Sequence, residues 1–176
     1  MAATEQTLWT AVLFDFDGTL GDSIDLIISA LRATAAELPG YTVDEAAIRP
    51  WIGRPLTAML VEQGVTDHAE WMNVYRRHYR RAHDQLLRPI EGISGLLERL
   101  ANVGARIGVV SSKKTDYIEL GLNRLGLGSW IDVLVGADNT QRHKPDPEPL
   151  LHAAGLLDAV PSRCVYVGDA VTDVVA

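Results

Sequence analysis

The chain is short of cysteine, of phenylalanine and of positive charge. Cys164 is its single cysteine, which excludes a disulfide framework and any zinc site built on several thiolates. Against 23 Asp and Glu stand only 16 Lys and Arg, a formal net charge of −7, which is the wrong sign for a protein whose main partner is nucleic acid. No stretch approaches the roughly 18 to 20 consecutive apolar residues that span a bilayer, so no membrane role is expected. The N-terminus, MAATEQTLW, carries no positive region ahead of an apolar stretch and does not read as a secretory signal. No internal repeat, low-complexity tract or coiled-coil heptad is legible, and the oligomeric state stays open. What remains is ordinary globular composition, 47% apolar and 22% charged over 176 residues. It suits a soluble, cytoplasmic protein with one core and a modest insertion.

Ala11-Val12-Leu13-Phe14 is a short continuous apolar run that ends in Asp15. Such runs read as strands buried on both faces of a parallel sheet, and similar ones recur at Arg106–Val110, Ile131–Val135 and Cys164–Val167. Between them lie helical patterns: Ile93 to Val103, Thr115–Leu125, and Pro147–Leu156 with its proline at a helix start. Strands alternating with helices of this length predict a doubly wound α/β fold. Residues 22–89 break the alternation. Asp22 or Ser23 can cap a helix carrying Ile24, Ile27, Ile28, Leu31, Ala35 and Leu38 on one stripe. Shorter helical stretches follow at Val43–Ile48 and Leu56–Gln63, then a longer one over Asp67–Leu87. The expected organisation is a core of residues 1–21 and 90–176 with an all-helical cap, 22–89, inserted after the first strand. Its hinges would lie near Gly21-Asp22 and Pro89–Gly92.

In an open parallel sheet, ligands bind beyond the carboxyl ends of the strands. Asp15 and Asp17 follow the first strand, Ser111 and Ser112 the second, and Lys144 the third, within His143-Lys144-Pro145-Asp146-Pro147. Gly168-Asp169 and then Asp173 follow the fourth. Carboxylates crowded on one rim need a cation, and an all-oxygen set suits Mg²⁺. A lysine and hydroxyls beside Mg²⁺ make a cradle for a phosphoryl group, and an aspartate can serve as nucleophile.

These residues carry a family resemblance. Asp15-Phe16-Asp17-Gly18-Thr19-Leu20 resembles the first motif, DxDGT, of the haloacid dehalogenase superfamily of phosphohydrolases. Ser111 resembles the second motif, Lys144-Pro145 the third, and Gly168-Asp169-Ala170-Val171-Thr172-Asp173 the fourth, GDxxxD. The helical insertion is similar to the type-one cap of the phosphoglycolate phosphatase-like branch, which also holds phosphosugar mutases and a pyrophosphatase. The resemblance implies that Asp15 takes the phosphoryl group and that Asp17 is the acid/base. It implies that Ser111 and Lys144 hold the phosphoryl oxygens, and that Asp15, the Asp17 carbonyl, Asp169 and Asp173 surround Mg²⁺. Gly18 permits close approach of backbone to phosphate, Ser112 is an alternative phosphate donor, and Arg54 is a cap residue facing the substrate. The implied reaction is Mg²⁺-dependent hydrolysis of a small phosphorylated metabolite, 2-phosphoglycolate first. Pyrophosphatase or phosphosugar mutase chemistry is the alternative within the enzymes, and an inactive binding or regulatory domain is the alternative outside them.

Some features have plainer readings. Arg76, Arg77, Arg80 and Arg81, with His78 and His83, form a basic stretch that reads as a solvated helix face, though it could steer a phosphorylated substrate. Trp71, Tyr75 and Tyr79 at helical spacing read as interior, and Cys164 as a core thiol of a buried strand. The family pattern calls for a helix, a fifth strand and a closing helix after Asp173, so the sequence is expected to be a fragment with part of its core missing.

Overall fold

Four consecutive apolar residues form β1 (Ala11–Phe14), and all four are buried because the strand lies inside a parallel sheet covered by helices on both faces. The computed structural model describes residues 9–38, 48 and 51–176. In chain order β1 is followed by β2 (Gly21–Asp22), α1 (Ile24–Glu37), α2 (Leu56–Glu62), α3 (His68–Leu86) and β3 (Arg88–Pro89). Then come α4 (Ile93–Asn102), β4 (Arg106–Val110), α5 (Thr115–Leu125), β5 (Val133–Val135), α6 (Glu148–Leu156), β6 (Cys164–Val167) and α7 (Val171–Val175). The main sheet runs β5-β4-β1-β6 with every neighbouring pair parallel. Phe14 stands beside Val109 on one side and Val167 on the other, so the residues that follow β1, β4 and β6 emerge at one rim.

The pleat of β1 sorts its side chains. Val12 and Phe14 enter one core with Ile93, Leu97, Ile118 and Leu122 of α4 and α5, whereas Ala11 and Leu13 enter a second with Ala153 and Leu157. This is the doubly wound α/β arrangement expected from the alternation of elements. On the first face the core continues without a break into α1–α3 through Leu26, Leu31, Trp71 and Tyr79.

Helices α1 and α3 pack along each other. The rings of Trp71 and Tyr75 stack 5.7 Å apart, and Tyr79 meets Tyr117 of α5 edge-on at 5.3 Å. These aromatics therefore fill the helical part and its seam with α5. Gly21 lies opposite Pro89 and Asp22 opposite Arg88, so the chain leaves and re-enters the sheet half through one short antiparallel ribbon. A two-residue ladder has no periodicity to read, which is why no strand is legible there.

Several sequence expectations shift. Ser23 precedes α1, but its hydroxyl caps nothing and instead donates to Asp17. Strand β5 begins at Val133 rather than Ile131. The Asp132 carboxylate accepts the Ile107 N–H at 2.8 Å, and a short 3₁₀ turn over Gly128–Trp130 takes up the approach. Cys164 is half-buried rather than a core thiol, because β6 pairs only with β1 among the described residues. His83 is buried and so leaves the solvated face, whereas Arg77 and His78 pair with Glu37 of α1. The helix expected over Val43–Ile48 lies outside the described residues, apart from the buried Ile48.

Gly121 sits in α5 where a Cβ would land in the ring of the fully buried Phe16. Alanine is the better helix former by about 1 kcal/mol, but overpacking a closed core costs about 1–3 kcal/mol. Gly121→Ala is therefore expected to lower stability by urea unfolding. A gain would show that the ring yields.

Candidate active site

Asp15 leaves β1 directly into the interior and is 1% exposed. Its Oδ1 accepts the Phe16 N–H at 2.7 Å, and its own N–H donates to the Val167 carbonyl at 2.9 Å. Burial is the main influence on its carboxyl, opposed by Lys144, and the result is a pKa pushed up to about 6. Lys144 comes from the loop before α6 and is as deeply buried. Its three protons have three acceptors: Asp15 Oδ2 at 3.1 Å, Asp173 Oδ1 at 2.5 Å and the Tyr166 hydroxyl at 2.7 Å. The Tyr166 hydroxyl in turn donates to the Val110 carbonyl at 2.9 Å, tying the ends of β4 and β6 together behind the carboxylates. Burial, then Asp15 and Asp173, hold that phenol well above its ordinary pKa, so it stays a neutral donor.

Asp169 belongs to the turn after β6, and Asp173 to the first turn of α7. Asp173 is buried, and its Oδ2 accepts the Ala170 N–H at 2.9 Å. Asp169 is exposed, and partial burial raises its pKa. One carboxylate oxygen from each of Asp15, Asp169 and Asp173 lies within 4.8 Å of the others. Gly18, at φ +74°, lies so close that a Cβ there would overlap the Asp169 carboxylate. Three carboxylates share the one positive charge of Lys144, and every donor is oxygen. That set fits a hard divalent cation such as Mg²⁺ and does not fit a thiolate-seeking metal.

Asp17 has a different environment. Both of its oxygens accept from Lys113 Nζ at 2.6 Å, and Ser23 donates to Oδ1. Ser111 is buried at the end of β4, and its backbone N–H donates to Val135 O at 3.0 Å. The Ser112 hydroxyl, an expected phosphate donor, donates instead to the Gly53 carbonyl at 2.8 Å and so joins the loop after β4 to the loop before α2. Arg54 stacks over Trp51, 4.2 Å from the ring centroid, and pairs with Glu62 at 2.8 Å. It lines a pocket of about 300 Å³ that opens beside Asp17 and Ser111.

The structure thus brings Asp15, Lys144, Asp169 and Asp173 into one cluster, with Asp17 and Ser111 beside it and Arg54 across the pocket. Sequence reasoning missed Lys113, Ser23 and Tyr166. Lys113 adjoins Ser111-Ser112, so its place at the rim was legible, but not its reach to Asp17. Tyr166 is the single polar-tipped residue of the strand Cys164-Val165-Tyr166-Val167, a faint signal.

Carboxylates and lysines gather here at the carboxyl-end rim of a doubly wound sheet, where such sheets bind their ligands. Comparison with known proteins gives the family: residues 12–176 match the model of haloacid dehalogenase-like hydrolases, and the chain belongs to that family. The pyrophosphatase PpaX of Bacillus velezensis is 35% identical over 168 residues, which cover 95% of this chain and 77% of that protein. A provisionally assigned phosphoglycolate phosphatase from Lactobacillus plantarum superposes with a TM-score of 0.83 at 27% identity, covering 94% of this chain and 79% of that one. The fold is shared as well with CbbY from Rhodobacter sphaeroides, solved with phosphate, at a TM-score of 0.84 and 21% identity over 96% and 81% of the two chains.

Removing the Lys144 charge leaves two buried carboxylates facing each other. Without divalent metal, Lys144→Met is expected to cost about 3–5 kcal/mol in chemical denaturation. Tyr166→Phe, which deletes one acceptor, should cost about 1–3 kcal/mol. A loss under about 1 kcal/mol for Lys144→Met, the size of a surface change, would contradict the three-way bond.

Proposed function

We propose that this chain is a Mg²⁺-dependent phosphatase that hydrolyses a small phosphorylated metabolite by way of a phosphoryl group carried on Asp15. The observation that carries the reading is the convergence of Asp15, Asp169 and Asp173 on one point with Lys144 behind them. Asp15 and Asp169, with the Asp17 backbone carbonyl and Asp173, would hold the metal. When bound, it would supply charge neutralisation for the phosphoryl oxygens.

In the first step an Asp15 carboxylate oxygen attacks phosphorus. The bond from phosphorus to the leaving oxygen breaks, and that oxygen keeps the electron pair and takes a proton from Asp17. Water then attacks the phosphoryl group on Asp15 and gives its proton to Asp17, which releases inorganic phosphate and restores both carboxyl groups. Lys144 and Ser111 hold the phosphoryl oxygens during both steps. Two aspartates divide the work because their surroundings differ: Asp15 is fixed by Lys144 and the Phe16 N–H, whereas Asp17 faces the pocket.

Residues 22–89 are read as a cap over a core of residues 1–21 and 90–176, moving about the β2–β3 ribbon. Closure would exclude water from the phosphorylated aspartate. Among the described residues no helix is long and apolar enough to cross a membrane, and the cytoplasm, where such metabolites occur, is the proposed place of work. The leading substrate is 2-phosphoglycolate. Pyrophosphate is a second reading, favoured by the PpaX relative at 35% identity.

Phosphate release should require Mg²⁺, vanish with chelator and return on re-addition. Asp15→Asn should abolish it, a loss of at least about a thousandfold, with the far-ultraviolet circular dichroism unchanged. Appreciable turnover by Asp15→Asn would refute the nucleophile assignment.

A further inference from the structure

Lys113 grips the very carboxylate that the proposed mechanism needs free. Its Nζ lies 2.6 Å from both oxygens of Asp17, and the two side chains are 13% and 9% exposed. With Ser23 also donating to Oδ1, three of the roughly four lone-pair sites of the Asp17 carboxylate are taken, and the ammonium bridges both of its oxygens. The ammonium stands 5.3 Å from the ring centroid of Tyr79 on α3, at the seam between the helical part and the loop after β4.

The pocket beside Asp17 is charged against the trend of the chain. The protein carries −7 overall, yet the described residues lining this pocket include Arg54, Arg76, Lys113 and Lys114, and Asp17 is the single carboxylate among them. Arg54 already has Glu62 as its partner. Lys144, proposed to hold the phosphoryl group, pairs with Asp15 and Asp173, and none of these three lines the pocket. The cationic wall is therefore read as the side that receives the leaving group.

We propose that Lys113 is a specificity-determining residue that exchanges its partner, from Asp17 in the free protein to a second anionic group on the leaving side of the substrate. The proposal rests on the assignment of Asp17 as acid/base. A leaving group that carries a carboxylate or a second phosphate offers Lys113 a replacement ion pair within the pocket, and its arrival frees Asp17 for proton transfer. A leaving group without such a charge must break a partly buried, doubly hydrogen-bonded pair with nothing to replace it, which is unfavourable. The substrate class is thus a phosphate monoester or anhydride whose leaving group is itself anionic, and Lys113 couples recognition of that charge to release of the acid/base.

The test compares 2-phosphoglycolate and pyrophosphate, whose leaving groups carry a carboxylate and a phosphate, with p-nitrophenyl phosphate, whose leaving group carries neither. The ratio of kcat/KM for the anionic-leaving-group substrate to that for p-nitrophenyl phosphate should fall about tenfold or more in Lys113→Met, chiefly through KM, and return in Lys113→Arg. The substrate whose ratio falls further identifies carboxylate or phosphate as the natural group. A second arm needs no turnover. In the Asp15→Asn background with Mg²⁺, calorimetry should show Lys113→Met weakening 2-phosphoglycolate or pyrophosphate about tenfold more than it weakens inorganic phosphate. Unchanged ratios in both arms overturn the role of Lys113, whether activity is intact or uniformly lowered. Turnover by Asp15→Asn would instead overturn the phosphatase mechanism, and the binding arm would still report on Lys113.

Discussion

One ammonium group organises the rim of this protein. Lys144 is buried, and its three protons reach Asp15, Asp173 and Tyr166, which come from three different stretches of chain. Without that charge the two carboxylates would face each other across a few ångströms of low-dielectric interior, where like charges repel strongly. With it, α7 is drawn against the end of β1 through Asp173, and Tyr166 passes the constraint on to the Val110 carbonyl of β4. The ends of the three strands are thereby held at the spacing that lets Asp169 join the cluster.

The sheet explains why such a cluster can exist. β1 lies between β4 and β6 and is buried on both faces, so its backbone has one register available and delivers Asp15 to one place. The residues after it turn sharply: the N–H groups of Leu20 and Gly21 both donate to the Phe16 carbonyl. That turn sends Asp17 to Lys113 and to Ser23 at the start of α1. Two aspartates only two residues apart therefore meet different lysines. One lysine fixes Asp15 in place, and the other, on the pocket side, holds the carboxylate proposed to move a proton.

Much of this was legible in the sequence because it rests on short-range patterns. The apolar run before Asp15 defines a doubly covered strand, and the carboxylates, serine and Lys144 each follow a strand end, so the parallel sheet alone places them on one rim. The helical spacing of Trp71, Tyr75 and Tyr79 shows which face of α3 is interior. What escaped depends on tertiary geometry. Ser23 has the composition of a helix cap, yet the turn over residues 16–21 carries its hydroxyl to Asp17, and no local rule ranks those two fates. His83 belongs to a run of basic residues, and only the packing of α3 against the rest of the molecule buries it. Lys113 stands beside Lys114 with nothing in the sequence to say which of the two turns inward. Cys164 has the neighbours of a core residue, and its half-exposure follows from the position of β6 in the sheet order.

The central claim is chemical: a phosphoryl group passes through Asp15. Rapid mixing of the protein with substrate and Mg²⁺, acid quenching within the first turnover and peptide mass spectrometry test it most directly. The account predicts a hydroxylamine-sensitive phosphoryl adduct on the peptide that contains Asp15, formed and lost at rates compatible with steady-state phosphate release. Turnover with no covalent adduct, or with the adduct on any other residue, would contradict it.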